Sequence, residues 1–332
     1  MRALRWTFLG LMMTMAWGLI AAPQVMRQTA PQPTSRLSHR RSPYVGAIAA
    51  DCQTGRILFA DHETAEAYPA SVSKLMTLLL VLEDVRAKRY KFSDEVVATA
   101  DAYCSEPSWV GIKAGKSMTV EDLCYALMIE SANDAAIVLG VHSAGSFEAF
   151  VARMNKRAAQ LGMNATHYYN PNGLPPNATR RYPWKKFNVS TAADQLKLAL
   201  ALLKMPEVTR FTSVKTATLI KTPKGKRVAI MRRVNEPEKP VTLGPNEVVD
   251  KVLRNHNHLM VQDKYKIFNL DGKEAVDGLK TGYIDAGGSS IILTGTRNQH
   301  RVVVVVLGSS SSKERDSEAG RLFSDALDAV GW

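Results

Sequence analysis

Three short clusters in this chain hold side chains that could together run acyl transfer: Ser71 with Lys74, Ser131 with Asn133, and Lys280-Thr281-Gly282. A serine hydroxyl is a poor nucleophile at neutral pH and needs a base within hydrogen-bond reach. Positions i and i+3 of a helix share a face, so a helix here would bring the Lys74 amine one turn above the Ser71 hydroxyl. An ammonium is no base, and such a site must depress its pKa. Burial and a second cation both act in that direction, and Lys280 is the obvious neighbour. Ser131 is then placed to pass a proton between the two lysines and a leaving amine, and Asn133 to hold an amide carbonyl. Lys280 and Thr281 suit a terminal carboxylate, and Arg315 could complete that anion site, although a solvated arginine at a helix end is its commoner meaning. Each cluster is weak alone, since Ser310-Ser311-Ser312-Lys313 also satisfies S-x-x-K. Taken singly, Ser71 could be only an N-cap and Lys74 a lysine reaching for water. In this order, they are the parts of a serine acyl-transfer site in which lysines manage the proton.

Elements that could position these residues are visible around them. Ser71 follows a Pro69-Ala70 break and opens an apolar run in which Leu75, Leu78, Leu79 and Leu82 repeat at helical spacing, with Met76, Leu80 and Val81 on the other side. A helix apolar nearly all round is a buried one. Thr119 with Asp122 offers a capping pair before Leu123 and Leu127, and Ser146 opens a helical segment that stops at Gly162. Residues 192 to 203 and 315 to 330 are also helical. Tyr44 to Cys52 and Arg56 to Ala60 flank Gln53-Thr54-Gly55 and predict a hairpin. Leu279 to Ile284, Ser290 to Thr296 and Val302 to Leu307 are strand-like, joined at Asp285-Ala286-Gly287-Gly288 and Asn298-Gln299. Strands at both ends with helices between predict an α+β fold: one sheet built from both ends of the chain, with a helical lobe inserted. Ser71 and Lys280 would meet at the seam.

The blocks PASVSKLMT at 69 to 77, ESANDAA at 130 to 136, NPNGLP at 170 to 175, STAADQLKLA at 190 to 199 and DGLKTGYIDAGG at 277 to 288 resemble those of D-alanyl-D-alanine carboxypeptidases, the low-molecular-mass penicillin-binding proteins. The resemblance covers about residues 44 to 330. Ser73 stands where the family has Thr, and Ala132 where it has Gly; neither change removes a reacting group. The resemblance implies a β-lactamase/transpeptidase-like fold with an antiparallel sheet of about five strands. It implies oxyanion donation by the backbone N–H groups of Ser71 and Tyr283, no cofactor and no metal. It also implies a peptidoglycan pentapeptide as substrate and β-lactams as covalent inhibitors. A D,D-endopeptidase is the alternative; a β-lactamase, for which the Asn170 to Asn177 region offers no glutamate, and a non-catalytic penicillin-binding module stand further back.

Residues 1 to 22 have the layout of an export signal, with Arg2 and Arg5, an apolar run from Trp6 to Ile20 and small residues after it; an uncleaved anchor is the rival. Residues 23 to 43 read as a flexible basic linker, and 44 to 332 as the catalytic domain with no second, β-rich domain or C-terminal anchor. The periplasm or the extracytoplasmic face of the inner membrane is the expected location. Formal charge is +12. Lys215, Lys221, Lys224, Lys226, Arg227, Arg232 and Arg233 crowd one polar segment, which suits either anionic wall or membrane surfaces or, more simply, a solvated face. An exported chain argues against nucleic acid. Of the three cysteines, Cys104 and Cys124 are candidates for a bridge, and Cys52 reads as a buried thiol in a strand. His256-x-His258 has no accompanying ligand pattern.

Overall fold

The structure, a computed structural model, describes residues 41–100, 107–176, 178, 184–267 and 272–330. The expected export signal, nearly all of the linker, and Cys104 lie outside the described residues.

Chain ends and chain middle build different halves. β1 (Gly46–Asp51) and β2 (Ile57–Asp61) form the predicted hairpin. From the other end come β8 (Val276–Ile284), β9 (Gly288–Arg297) and β10 (His300–Ser309). The five make one antiparallel sheet in the order β2-β1-β10-β9-β8, in which Gly46 pairs with Leu307 and Asp51 with Val302. Asn298 and Gln299 turn the β9-β10 hairpin with φ of 50° and 69°, the pair of positive angles that matches strand twist in a two-residue connection.

Both faces of this sheet are covered. Ile48, Ala50, Val303, Val305 and Leu307 pack toward the inserted helices. Their neighbours Ala47, Ala49, Val302, Val304 and Val306 pack against α8 (Ser312–Val330) through Leu322, Phe323 and Leu327. The unbroken valine run 302–306 therefore fits a strand with no solvent face.

The inserted lobe holds α1 (Lys74–Arg86), α2 (Val120–Ile129), α3 (Asn133–Ala144), α4 (Phe147–Gln160), α5 (Ala192–Leu203) and the short α6 (Val208–Thr212). α1 is buried from Lys74 through Leu82, as its all-round apolar sequence predicts. Its one acidic inward residue, Asp84, is tied to Arg153 of α4 and to Arg89, each at 2.7 Å, and to Ser143 of α3. Thr119, Ser146 and Thr191 cap α2, α4 and α5 by accepting the N–H three residues on.

A second layer of strands departs from the sequence reading. β3 (Glu95–Val97) pairs with β4 (Ser117–Thr119), while β5 (Val214–Lys221), β6 (Lys226–Arg233) and β7 (Val248–Arg254) form a separate sheet in the order β6-β5-β7, followed by α7 (His258–Val261). The basic segment lies on these strands, and most of its charge is matched: Lys215 with Glu274, Lys226 with Asp250, Arg227 with Glu247 and Lys224 with Glu95. Among the described residues Cys124 is a free thiol, fully buried in the lobe core, and its candidate partner Cys104 lies outside them. Cys52 lies one residue past β1 and is half-buried rather than in the strand, and burial pushes its thiol up to about 12.

Candidate active site

Ser71 does not sit inside α1. It lies in a 3-10 turn, Ala70–Ser73, that leads into the helix at Lys74. Ala70 has φ of 50°, a left-handed conformation unusual for a residue with a Cβ, and it aims the turn at the sheet edge. Two glycines let backbone close in on that turn. A Cβ on Gly282 of β8 would stand 2.7 Å from the Pro69 carbonyl oxygen and 3.1 Å from the Ser71 nitrogen. One on Gly173, whose φ is 81°, would overlap the Ala70 carbonyl oxygen at 1.8 Å. The strand bearing Lys280-Thr281-Gly282 and the loop 170–173 thus clamp the serine turn from two sides.

Lys74 Nζ lies 2.8 Å from Ser71 Oγ, 2.7 Å from Asn133 Oδ1 and 2.8 Å from the Asn172 carbonyl oxygen. The side chain is fully buried. Two of these three partners can only accept, whereas the hydroxyl can also donate. A neutral amine would give its two N–H bonds to Asn133 and Asn172 and turn its lone pair to the Ser71 hydroxyl. That geometry lets the serine proton move directly to nitrogen.

Lys280 lies nearby on β8, 3% exposed, and donates to the Thr281 carbonyl oxygen at 2.9 Å. Burial first, and then Arg315, push its ammonium down from 10.5 to about 7. A depressed lysine is therefore present at the seam, on the strand side. Arg315 is 4% exposed in the first turn of α8, so the solvated alternative does not hold. Its guanidinium reaches Asp316 Oδ1 at 2.6 and 2.8 Å, and the other oxygen of Asp316 lies 2.8 Å from His258 Nδ1.

A cleft of about 300 Å³ opens over these groups, and Ser71, Ser131, Asn133, Thr281, Gly282, Tyr283 and Arg315 all line it. Ser131 has φ of 60° in the three-residue link between α2 and α3, and its buried Oγ has no partner among the described residues. An unpaired buried hydroxyl typically costs about 1–3 kcal/mol, a cost that a bound substrate or a proton in transit would relieve. Asn133 opens α3 rather than lying in a loop; its N–H donates to the Ser108 carbonyl oxygen at 2.8 Å. With Oδ1 on Lys74, its amide NH₂ is left for a ligand carbonyl. Tyr283 is 56% exposed at the rim, its hydroxyl donating to Asp285 at 2.6 Å. The second S-x-x-K, Ser310 to Lys313, is exposed at the β10-α8 corner, and of its residues Ser312 lines the cleft while Ser310 and Lys313 do not.

Sequence reasoning missed several groups. The Asn172 carbonyl is a backbone atom and leaves no side-chain signature. Its loop is fixed by Asn170 Oδ1, which accepts from the Gly173 N–H, and by Asn188, which accepts from the Tyr169 and Asn170 N–H groups and donates to Ser73 Oγ at 3.0 Å. The density of Asn, Pro and Gly at 170–173 was the available signal for a tightly bonded turn. His256 lines the cleft and is held below the ordinary histidine value, first by desolvation and then by Lys280, Lys74, His258 and Arg315. Asp134, buried beside Asn133, accepts the N–H groups of Val110 and Ile112 and so fixes the opposite wall.

Comparison with known proteins agrees with this geometry. A family model described as D-alanyl-D-alanine carboxypeptidase matches residues 45–311. D-alanyl-D-alanine carboxypeptidase DacF of Bacillus subtilis (strain 168) is 27% identical over 309 residues, covering 93% of this chain and 68% of that protein. The chain spans 60–61% of the length of two other curated carboxypeptidases that it matches. The D-alanyl-D-alanine endopeptidase of Escherichia coli (strain K12) is 25% identical over 301 residues, covering 91% of this chain and 82% of that protein. Penicillin-binding protein D2 from Listeria monocytogenes, solved in its cefotaxime-bound form, superposes with a TM-score of 0.64 at 26% identity, covering 89% of this chain and all of that one. With a match across most of its length, and a serine and lysine in contact beneath a KTG strand, the chain belongs to the D-alanyl-D-alanine carboxypeptidase family of serine peptidases.

Proposed function

We propose that this chain removes the terminal D-Ala from peptidoglycan stem peptides through an acyl-enzyme on Ser71. The observation that carries the reading is the 2.8 Å contact between Lys74 Nζ and Ser71 Oγ, made inside a site that also holds a depressed Lys280. The substrate's terminal carboxylate pairs with Lys280, Thr281 and Arg315, and its penultimate carbonyl lies over Ser71. Lys74 takes the hydroxyl proton as Oγ attacks that carbon. The N–H groups of Ser71 and Tyr283 hold the oxyanion, a contribution of about 2.7–4 kcal/mol for one such donor in other enzymes. Collapse breaks the C–N bond, and Ser131 relays a proton to the departing D-Ala amine. Water then attacks the ester, Lys74 accepts its proton, and the serine is regenerated as the shortened stem leaves.

Because β-lactams present a strained amide with a nearby carboxylate, they acylate the same serine and leave slowly. The polymer lies outside the cytoplasm, so the enzyme works in the periplasm or at the outer face of the inner membrane, delivered by residues 1–22. Among the described residues no single helix is long and apolar enough to cross a membrane. Residues 44–332 act as one catalytic domain.

Likeness to the Escherichia coli endopeptidase across 82% of its length favours one second reading, cleavage of D,D cross-links by the same acyl-enzyme chemistry. Purified sacculi separate the two: free D-Ala marks the carboxypeptidase, and loss of cross-linked dimers marks the endopeptidase. Ser71→Ala should abolish both D-Ala release and covalent labelling by penicillin. Labelling that survives the substitution excludes Ser71 as the nucleophile.

A further inference from the structure

A second cavity is larger than the one over Ser71. A groove of about 760 Å³ lies on the far side of the segment 107–112, bounded by β4, the β5-β6 turn and the start of β7. Pro107 and Ser108 of that segment line the cleft over Ser71, while Gly111 and Ile112 line the groove. Two residues separate Ser108 from Gly111, three steps of chain that span at most about 11 Å. The wall is pinned along its length. Ser108 accepts from the Asn133 N–H, Trp109 from Lys251 at 2.8 Å, Val110 from Lys226, and Asp134 holds the N–H groups of Val110 and Ile112.

The lining of the groove has a definite chemistry. Lys113, Lys116 and Lys221 face it, are exposed, and make no ion pair among the described residues. Elsewhere on β5 and β6 the cations are matched by Glu274, Glu247, Glu236 and Glu238, so this rim is where the positive excess of the segment remains. Asp250, the one acid in the lining, is bound to Lys226 at 2.7 Å. Ile112, Met118 and Val248 add apolar surface between the lysines. Three ammonium groups around such a floor suit a short peptide that carries carboxylates and small alkyl side chains.

We propose that this groove is a second subsite for the wall polymer, holding the carboxylates of a neighbouring peptide stem while one stem is processed at Ser71. It rests on the proposed function, because that activity makes the substrate a polymer with many carboxylate-ended stems. The subsite raises affinity for the polymer by engaging it twice across one rigid wall, without touching the reacting atoms.

The test is the full chain carrying K113E, K116E and K221E together. Sedimentation with purified sacculi and D-Ala release from them should each fall at least ten-fold. Penicillin labelling rate and D-Ala release from a soluble D-Ala-D-Ala peptide should stay at the unaltered chain's level, which also shows that the variant folds. Unchanged binding to sacculi and unchanged release from them would overturn the proposal. So would a variant that keeps its hold on sacculi but loses binding to phosphatidylglycerol vesicles, which would assign the lysines to a membrane surface. Failure of the underlying function looks different: the unaltered chain would itself take up no penicillin and release no D-Ala from the soluble peptide.

Discussion

Replacing Lys280 with methionine should stabilise the fold at neutral pH while removing turnover. The ammonium is 3% exposed and, among the described residues, has no ion pair; burial and Arg315 push it from 10.5 to about 7. Below pH 7 the folded and unfolded chains both carry the charge, and its burial destabilises the fold by the full amount. Between pH 7 and 10.5 the unfolded chain keeps a proton that the folded chain has released, so stability climbs with pH. Above 10.5 the penalty is gone. One pH unit corresponds to about 1.4 kcal/mol for a single proton, so the full span is on the order of 5 kcal/mol. Arg315 stays charged throughout this window, so its repulsion does not change. Urea unfolding of both proteins from pH 6 to 11 gives the stability difference directly, because every other titrating group is shared. Lys280→Met should be the more stable protein at pH 6 and 7 and lose most of that advantage by pH 11. Parallel pH profiles would refute the reasoning, since they would mean that the charge is solvated or compensated. In the same samples, D-Ala release should collapse because the terminal carboxylate has lost its buried partner.

Two further substitutions probe the clamp and the anion site. Gly173→Ala places a methyl against the Ala70 carbonyl oxygen at a φ of 81°; stability should fall by at least about 1–2 kcal/mol, and the penicillin acylation rate should drop with it, whereas unchanged acylation would show that the serine turn is not held from this side. Asp316→Asn leaves the buried Arg315 without its carboxylate; urea unfolding should report a loss of about 3–5 kcal/mol, and KM for the soluble peptide should rise more than kcat falls, an unchanged KM being the contrary result.

The three side-chain clusters that meet at the cleft were legible because the proposed chemistry demands particular side chains in a fixed order, and the strands around them because β1, β9 and β10 have the apolar runs of a sheet buried on both faces. Helix starts at Thr119 and Ser146 were legible for a local reason: a side-chain oxygen three residues before a free N–H is a sequence pattern. The β5-β6-β7 sheet was not. Its strands carry lysines and arginines whose glutamate and aspartate partners sit far along the chain, on other strands and turns, and Val248, Val249 and Val252 remain exposed, so neither periodicity nor composition marked them. The burial of Arg315 was hidden for a similar reason. Its counter-charge is its immediate neighbour Asp316, and only the fold shows that both point inward beside His258. The Asn172 carbonyl, an acceptor from Lys74, could be found only from the backbone path.

The pairing of β1 with β10 has a consequence for how the enzyme comes into being. Residues about 260 positions apart must meet before the sheet closes, and β8 reaches the serine turn only as part of that closure. Contacts of such long sequence separation form slowly and late. A nascent chain therefore carries Ser71 and Lys74 close together, on a local turn and the helix start that follows it, but without the strand that supplies the opposing wall. Chemical competence and complete folding become one event, so uptake of a labelled penicillin doubles as a readout of the finished tertiary structure.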